Sequence, residues 1–229
     1  MKSLKILLAC EESQVVCKEF RDLGHEAFSA DIMDCSGPNS DWHIKGDVLE
    51  VINREWDMMI AFPPCTHLAV SGARHFEQKR KDGRQQKGIE FFMRMLNAPI
   101  PLIAVENPIG IISGDYIGRE IPELNEKYNF PIKPTQIIHP YHFGDPYSKS
   151  TCLWLKNLKP LIYNKKNENI KQKELAFAEF PNEVNKGEFV TFSSGKRMAK
   201  WYNEASGNGH LRSKTFPGIA KAMASQWGQ

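Results

Sequence analysis

Apolar residues fall in short unbroken runs separated by polar punctuation. That is the pattern of strands buried on both faces, not of strands with one wet side. Residues 5–10 form the first such run. Glu11-Glu12-Ser13 then supplies turn and cap chemistry, and a helix is predicted over residues 14–23, stopped by Gly24. Residues 25–31 read as a second strand ending on the carboxylate of Asp31. Strand, helix and strand within about thirty residues make the β-α-β unit of a parallel sheet. A short third strand ends at Gly46-Asp47-Val48, a helix is expected near residues 49–54, and residues 56–61 form a buried strand. Residues 66–85 are polar, basic and punctuated by glycine, so a mobile loop is expected there. A helix near residues 86–96 leads into a strand over residues 102–105. Residues 109–130 read as loop and helix, residues 135–139 and 151–155 as a terminal pair of strands, and residues 217–227 as a closing helix with proline in its first turn. Between them the composition shifts: residues 157–209 are rich in Asn, Lys and Glu, which suggests a polar insertion or small lobe within one domain spanning residues 1–229.

A chain of 229 residues is long enough for one α/β domain with a sizeable core. The net charge of +3 is mildly basic, and its distribution says more than its total. Seven basic and three acidic residues lie between Arg74 and Arg94, and six basic residues and one acidic residue between Lys196 and Lys221. Such clusters suit phosphate contacts that carry no sequence information, although a solvated charged surface reads the same way. The five cysteines (10, 17, 35, 65 and 152) show no C-x-x-C spacing, which speaks against zinc or a disulfide framework and for a reducing cytoplasm. No metal site is expected. The first apolar run is too short for a signal peptide core, and no stretch approaches a membrane span.

Two segments carry the candidate chemistry. Phe62-Pro63-Pro64-Cys65 and Glu106-Asn107-Pro108 each end an apolar run. A thiol and a carboxyl at the ends of two parallel strands would face one crevice, where open α/β sheets bind ligands. The pair suits thiolate addition to C6 of a pyrimidine while an acid donates to N3, which makes C5 electron-rich enough to accept a methyl group. The two prolines fix the backbone that presents Cys65. Burial of Glu106 would raise its pKa toward the protonated form that donation needs.

These residues resemble the motifs of DNA (cytosine-5)-methyltransferases. Phe62-Pro63-Pro64-Cys65-Thr66, followed by Ser71-Gly72-Ala73-Arg74, is similar to that family's nucleophile motif and loop. Glu106-Asn107-Pro108 is similar to its Glu-Asn-Val motif, with proline in place of valine. Phe143-Gly144-Asp145-Pro146 and then Ser148-Lys149-Ser150-Thr151 resemble, more loosely, the Gly-x-Pro-Gln segment leading into the arginine-bearing strand. The three occur in the family's usual order and cover roughly residues 1–160.

The resemblance implies a Rossmann-like, S-adenosylmethionine-dependent methyltransferase fold: a mostly parallel twisted sheet with helices on both faces. It implies methyl transfer to C5 of cytosine in DNA, with Cys65 as nucleophile, Glu106 as acid and Asn107 beside them. The cofactor would lie against Cys10, Glu11, Ser13, Asp31, Asp47 and Pro63. Asp31 would meet the ribose hydroxyls and Asp47 the adenine amino group, unless each merely caps its following turn. Arg74 and Lys149 would meet the DNA, Lys149 standing where the family has arginine, without that residue's planar fork. His67 is a weaker candidate for a base or phosphate contact. The first loop, Ala9-Cys10-Glu11-Glu12-Ser13, departs from the family in having no glycine. The polar stretch after Lys156 is short for target recognition, so specificity would be short, relaxed or supplied by a protein partner. A compact enzyme of this sort suits a phage or mobile element acting in a bacterial host's cytoplasm. Two other readings stay open: a pyrimidine C5-modifying enzyme with a different donor or nucleotide substrate, and a non-catalytic DNA-binding relative.

Overall fold

Strand β1 (Lys5–Ala9) buries Ile6, Leu7, Leu8 and Ala9 completely, so both of its faces must be covered. The computed structural model, which describes residues 2–165, 180–208, 213 and 215–229, places β1 near the middle of a seven-stranded sheet. Helix α1 (Val15–Asp22) returns the chain to β2 (Glu26–Asp31), which runs parallel to β1, and β3 (His43–Lys45) adds the outer strand beside β2. The chain then crosses to the other side of β1 to form β4 (Met58–Ala61). Helices α2 (Phe76–Lys81) and α3 (Arg84–Leu96) lead to β5 (Leu102–Pro108), parallel to β4. After the short helices α4 (Tyr116–Glu120) and α5 (Pro122–Tyr128) come β6 (Gln136–Ile138) and β7 (Thr151–Lys156). Strand β7 inserts antiparallel between β5 and β6, giving the order β3-β2-β1-β4-β5-β7-β6.

A two-stranded hairpin, β8 (Phe189–Thr191) with β9 (Arg197–Ala199), precedes helix α6 (Lys200–Glu204), and α7 (Pro217–Trp227) closes the chain. Of the polar segment expected over 157–209, residues 166–179 and 209 lie outside the described residues.

Strand alternation sorts the core into two layers. Leu7, Ala9, Met59, Ala61, Ile103 and Val105 pack with Ile89, Phe92, Met93 and Met95 of α3. Ile6, Leu8, Met58, Ile60 and Ala104 pack with Val16, Cys17 and Phe20 of α1 and with Ile219, Ala220 and Met223 of α7. Each large side chain removed from water contributes about 1.5–3 kcal/mol. The architecture is therefore the Rossmann-like α/β fold: a mostly parallel sheet with helices on both faces. Among the described residues, no helix is long and apolar enough to cross a membrane.

Two local expectations fail. In place of a helix over 49–54, Asp47 caps a single 3₁₀ turn, Val48–Glu50, by accepting the Leu49 amide at 2.9 Å. The next residues, Val51, Ile52 and Asn53, are poor helix formers, and the two apolar ones are buried as turn residues instead. The mobile loop expected over 66–85 is largely helical, with a 3₁₀ turn at Val70–His75 followed by α2 and the start of α3. Leu68, Ala69 and Phe76 anchor it: all are buried, and Phe76 meets Tyr116 edge-on at 5.2 Å. Three apolar residues spaced among charges leave little periodicity in the sequence, yet they suffice to pin the segment down.

Candidate active site

Sequence order reverses between β1 and β4, because β2 and β3 lie to one side and β4 and β5 to the other. Ligands of open α/β sheets sit outside the carboxyl ends of the strands at such a reversal. The register brings these ends level: Ala9 pairs with Ala30 and with Ala61, and Ala61 pairs with Val105. Cys10, Asp31, Phe62 and Glu106 are the next residues on those four strands, so they form one row along the crevice.

The turn that carries Cys65 is held from both sides. The Phe62 amide donates to the Ala9 carbonyl at 2.9 Å, tying the turn to β1. Asn107, buried, donates its amide Nδ2 to the Pro63 carbonyl at 2.7 Å, tying the turn to β5. Beyond the turn, the Cys65 carbonyl accepts from the Leu68 and Ala69 amides, both at 2.9 Å. The loop then pairs with the segment after Pro108: Val70 donates to Ile109 at 3.2 Å and Ile111 to Leu68 at 3.0 Å. This approach requires glycine at position 110, where a Cβ would lie 2.5 Å from the Leu68 oxygen. The segments bearing Cys65 and Glu106 are thus stitched into one unit, with Cys65 itself partly buried.

Glu106 faces the α1/α7 side of the sheet, opposite to Asn107. Loss of water on burial raises its carboxyl pKa above the ordinary value, and the nearby Lys149 charge opposes this only in part. Lys149 lies between the Gly144 turn and β7, where its ammonium sits 6.0 Å from the Phe216 ring centroid and the preceding Ser148 carbonyl accepts from Trp201 at 3.2 Å. Asp145 fixes that approach by accepting the Gly218 amide of α7 at 2.8 Å.

Cys10, Asp31 and Asp47 also come together. Burial, and then the charges of Asp31 and Asp47, push the Cys10 thiol up to about 12, so it stays protonated. The left-handed turn that a glycine would ordinarily make is made by Cys10 itself, at φ 61°, and again by Gln14 at φ 58°. Glycine is absent from this loop, but the backbone conformation that favours it is present. Asp31 accepts the Met33 amide at 2.9 Å. Beside it, Ile32 leaves 75% of its surface exposed, a residue the sequence reading passed over; its signal was an apolar side chain directly after a strand-end acid. Two carboxylates beside an exposed apolar side chain suit a nucleoside, whose hydroxyl and amino groups donate while its flat base packs. Glu11 serves α1: its carboxylate accepts the Val16 amide at 2.6 Å and the Cys17 amide at 3.2 Å, and burial raises its pKa to about 7. Ser13 lies partly buried in the turn before α1, and Pro63 is buried beneath the Cys65 turn.

Other candidates fall elsewhere. Arg74 is exposed on the 3₁₀ turn and donates to the His75 ring at 2.9 Å. The ring of His67 turns inward, its Nδ1 buried without a hydrogen-bond partner, and burial with the Lys79 and Arg84 charges lowers its pKa. Much of the basic cluster is also committed within the fold. Arg80 pairs with Glu120 at 3.0 Å and donates to Tyr116 at 2.9 Å. Lys81 meets Glu77 at 2.6 Å, Arg84 pairs with Asp82, and Lys79 is buried. Among the described residues, no three His, Cys, Asp or Glu side chains group so as to hold a metal ion.

No protein-family model and no curated protein matches the sequence. Solved structures similar to it include a protein assigned as a DNA modification methyltransferase encoded within an E. coli prophage. That chain is 15% identical with a TM-score of 0.42, over 67% of this chain and 46% of the other. The S. pombe Dnmt2 methyltransferase is 14% identical with a TM-score of 0.40, over 69% of this chain and 50% of the other. The chain spans about half the length of both.

Proposed function

We propose that this protein transfers a methyl group from S-adenosylmethionine to C5 of cytosine in DNA through a covalent bond between Cys65 and C6. The observation that carries the reading is the locked pair at the ends of β4 and β5. Asn107 fixes the Cys65 turn through Pro63, while burial favours the protonated form of Glu106. In this reading the Cys65 thiolate bonds to C6 as Glu106 gives its proton to N3, and the ring electrons collect at C5. Asp31, Asp47, Ile32 and the Cys10 turn hold the cofactor, which supplies an electrophilic methyl group on its sulfonium. After transfer a base takes the C5 proton, the C6–S bond breaks, and Glu106 recovers its proton. Lys149 steadies the negative end of the base or its phosphate beside Glu106. The target base must be unpaired or extruded, since C6 is hidden inside a duplex. Target specificity is short, relaxed or supplied by a partner. The test incubates the protein with DNA and cofactor carrying a labelled methyl group, then digests the DNA to nucleosides. Label in 5-methyl-deoxycytidine supports the reading; label in another base, or in none, overturns it.

A further inference from the structure

Lys79 of α2 is buried, with 8% of its surface exposed. Its Nζ donates to the Thr66 carbonyl at 2.6 Å, one residue beyond Cys65. Its neighbours Arg80, Lys81 and Arg84 each have an acidic partner, but among the described residues no carboxylate pairs with Lys79. An ammonium has three donors, and a charge taken out of water is costly unless something of opposite sign repays it. The sequence offers such a group one residue before the carbonyl that Lys79 holds. Covalent geometry limits the span from the Cys65 sulfur to the Thr66 oxygen to about 9 Å, so the ammonium lies within about 12 Å of that sulfur.

We propose that Lys79 is a positioning residue: it clamps the loop after Cys65 through the Thr66 carbonyl and supplies the buried positive charge that favours the Cys65 thiolate. At an effective dielectric constant of about 20, one charge at that distance lowers a thiol pKa by about one unit. The Lys79 field does act within this loop, since with burial and Arg84 it holds down the pKa of His67. Other charges around the loop are arranged so as not to replace it. Arg84 and Asp82, at the turn between α2 and α3, pair with each other, and His67 is held toward its neutral form. From the sheet, burial raises the Glu106 pKa and so disfavours a competing negative charge, against the opposing charge of Lys149. The role of the thiolate rests on the function proposed above; its coupling to Lys79 does not.

The test measures alkylation of Cys65 by iodoacetamide against pH, without DNA or cofactor, following the Cys65 peptide by mass spectrometry. The wild-type midpoint is expected below the ordinary thiol value of about 8.5. Lys79→Gln keeps an N–H donor for the Thr66 carbonyl but loses the charge, and Lys79→Met loses both. Each should raise the midpoint by about one unit, with folding checked by circular dichroism. An unchanged midpoint in a folded variant overturns the proposal. Should neither variant fold, the wild-type midpoint decides, and a value at or above about 8.5 overturns it. A shifted midpoint in a protein that does not methylate DNA leaves Lys79 its role and removes the proposed function. Methylation with an unmoved midpoint does the reverse.

Discussion

Replacing Asn107 with alanine should cost both stability and turnover, because its amide ties the Cys65 turn directly to β5. The Asn107 Nδ2 to Pro63 oxygen distance is 2.7 Å, and the side chain is 2% exposed, so water cannot enter readily to replace it. Leaving the Pro63 carbonyl buried without a donor costs about 1–3 kcal/mol. The Cys65 turn would then hold to β4 and β1 through Phe62, and to the segment after Pro108 through Leu68 and Val70, but lose its direct tie to β5, which carries Glu106. Displacement of a reacting group by about 1 Å can cost on the order of a hundredfold in rate. Asn107→Asp separates the two effects. It keeps the volume but presents an oxygen to the Pro63 oxygen, so it should reduce kcat at least as much as alanine does. The assay is methyl transfer at saturating substrates beside urea unfolding of each variant. A wild-type kcat in either folded variant would refute the reasoning, and lost stability with kcat intact would make Asn107 a packing residue only.

Asp31→Ala should remove charge-assisted hydrogen bonds to the cofactor, each worth roughly 1.5–3 kcal/mol, and so weaken S-adenosylmethionine binding by one to two decades. Calorimetry measures this directly, and an unchanged Kd would leave Asp31 as the cap of the Met33 turn. Glu11 has a folded-state pKa of about 7, raised above its ordinary 4.5, so its contribution is fully present below pH 4.5 and is lost as pH rises through about 7. Relative to Glu11→Gln, the wild type should therefore lose up to about 3 kcal/mol between those values, read from urea melts on either side of the window. Parallel pH profiles for the two proteins would contradict that burial effect.

The sheet was largely legible because its strands are continuous apolar runs that end at glycine, proline or a charged residue. The apolar runs over residues 56–61 and 102–105 do become neighbouring parallel strands, the first from Met58 onward, with their carboxyl ends level. Positions 66–85 were not legible. Lys79 sits in a run of charges that reads as solvated surface, and only the burial of Leu68 and Phe76 turns that helix inward. The Asn107–Pro63 tie was hidden for a different reason: it spans 44 residues and depends on register, which no local pattern records. Glu11 looked like a cofactor contact because it follows the first strand. Its carboxylate also meets the start of α1, whose free amides a nearby acid can satisfy, as the turn and cap chemistry of residues 11–13 led one to expect. The first loop misled in the opposite direction, because Cys10 adopts the conformation for which glycine was sought.

The most direct measurement of the central claim is covalent capture on DNA containing 5-fluorocytosine in the presence of S-adenosylmethionine. Fluorine cannot leave C5 as a proton does, so addition and methyl transfer proceed while release is blocked. Wild-type protein should form a denaturation-resistant complex whose cross-linked peptide contains Cys65. Cys65→Ser should form none, yet still bind the same DNA. Absence of the complex in the wild type, or a complex of equal yield in Cys65→Ser, would contradict the assignment of Cys65 as the nucleophile.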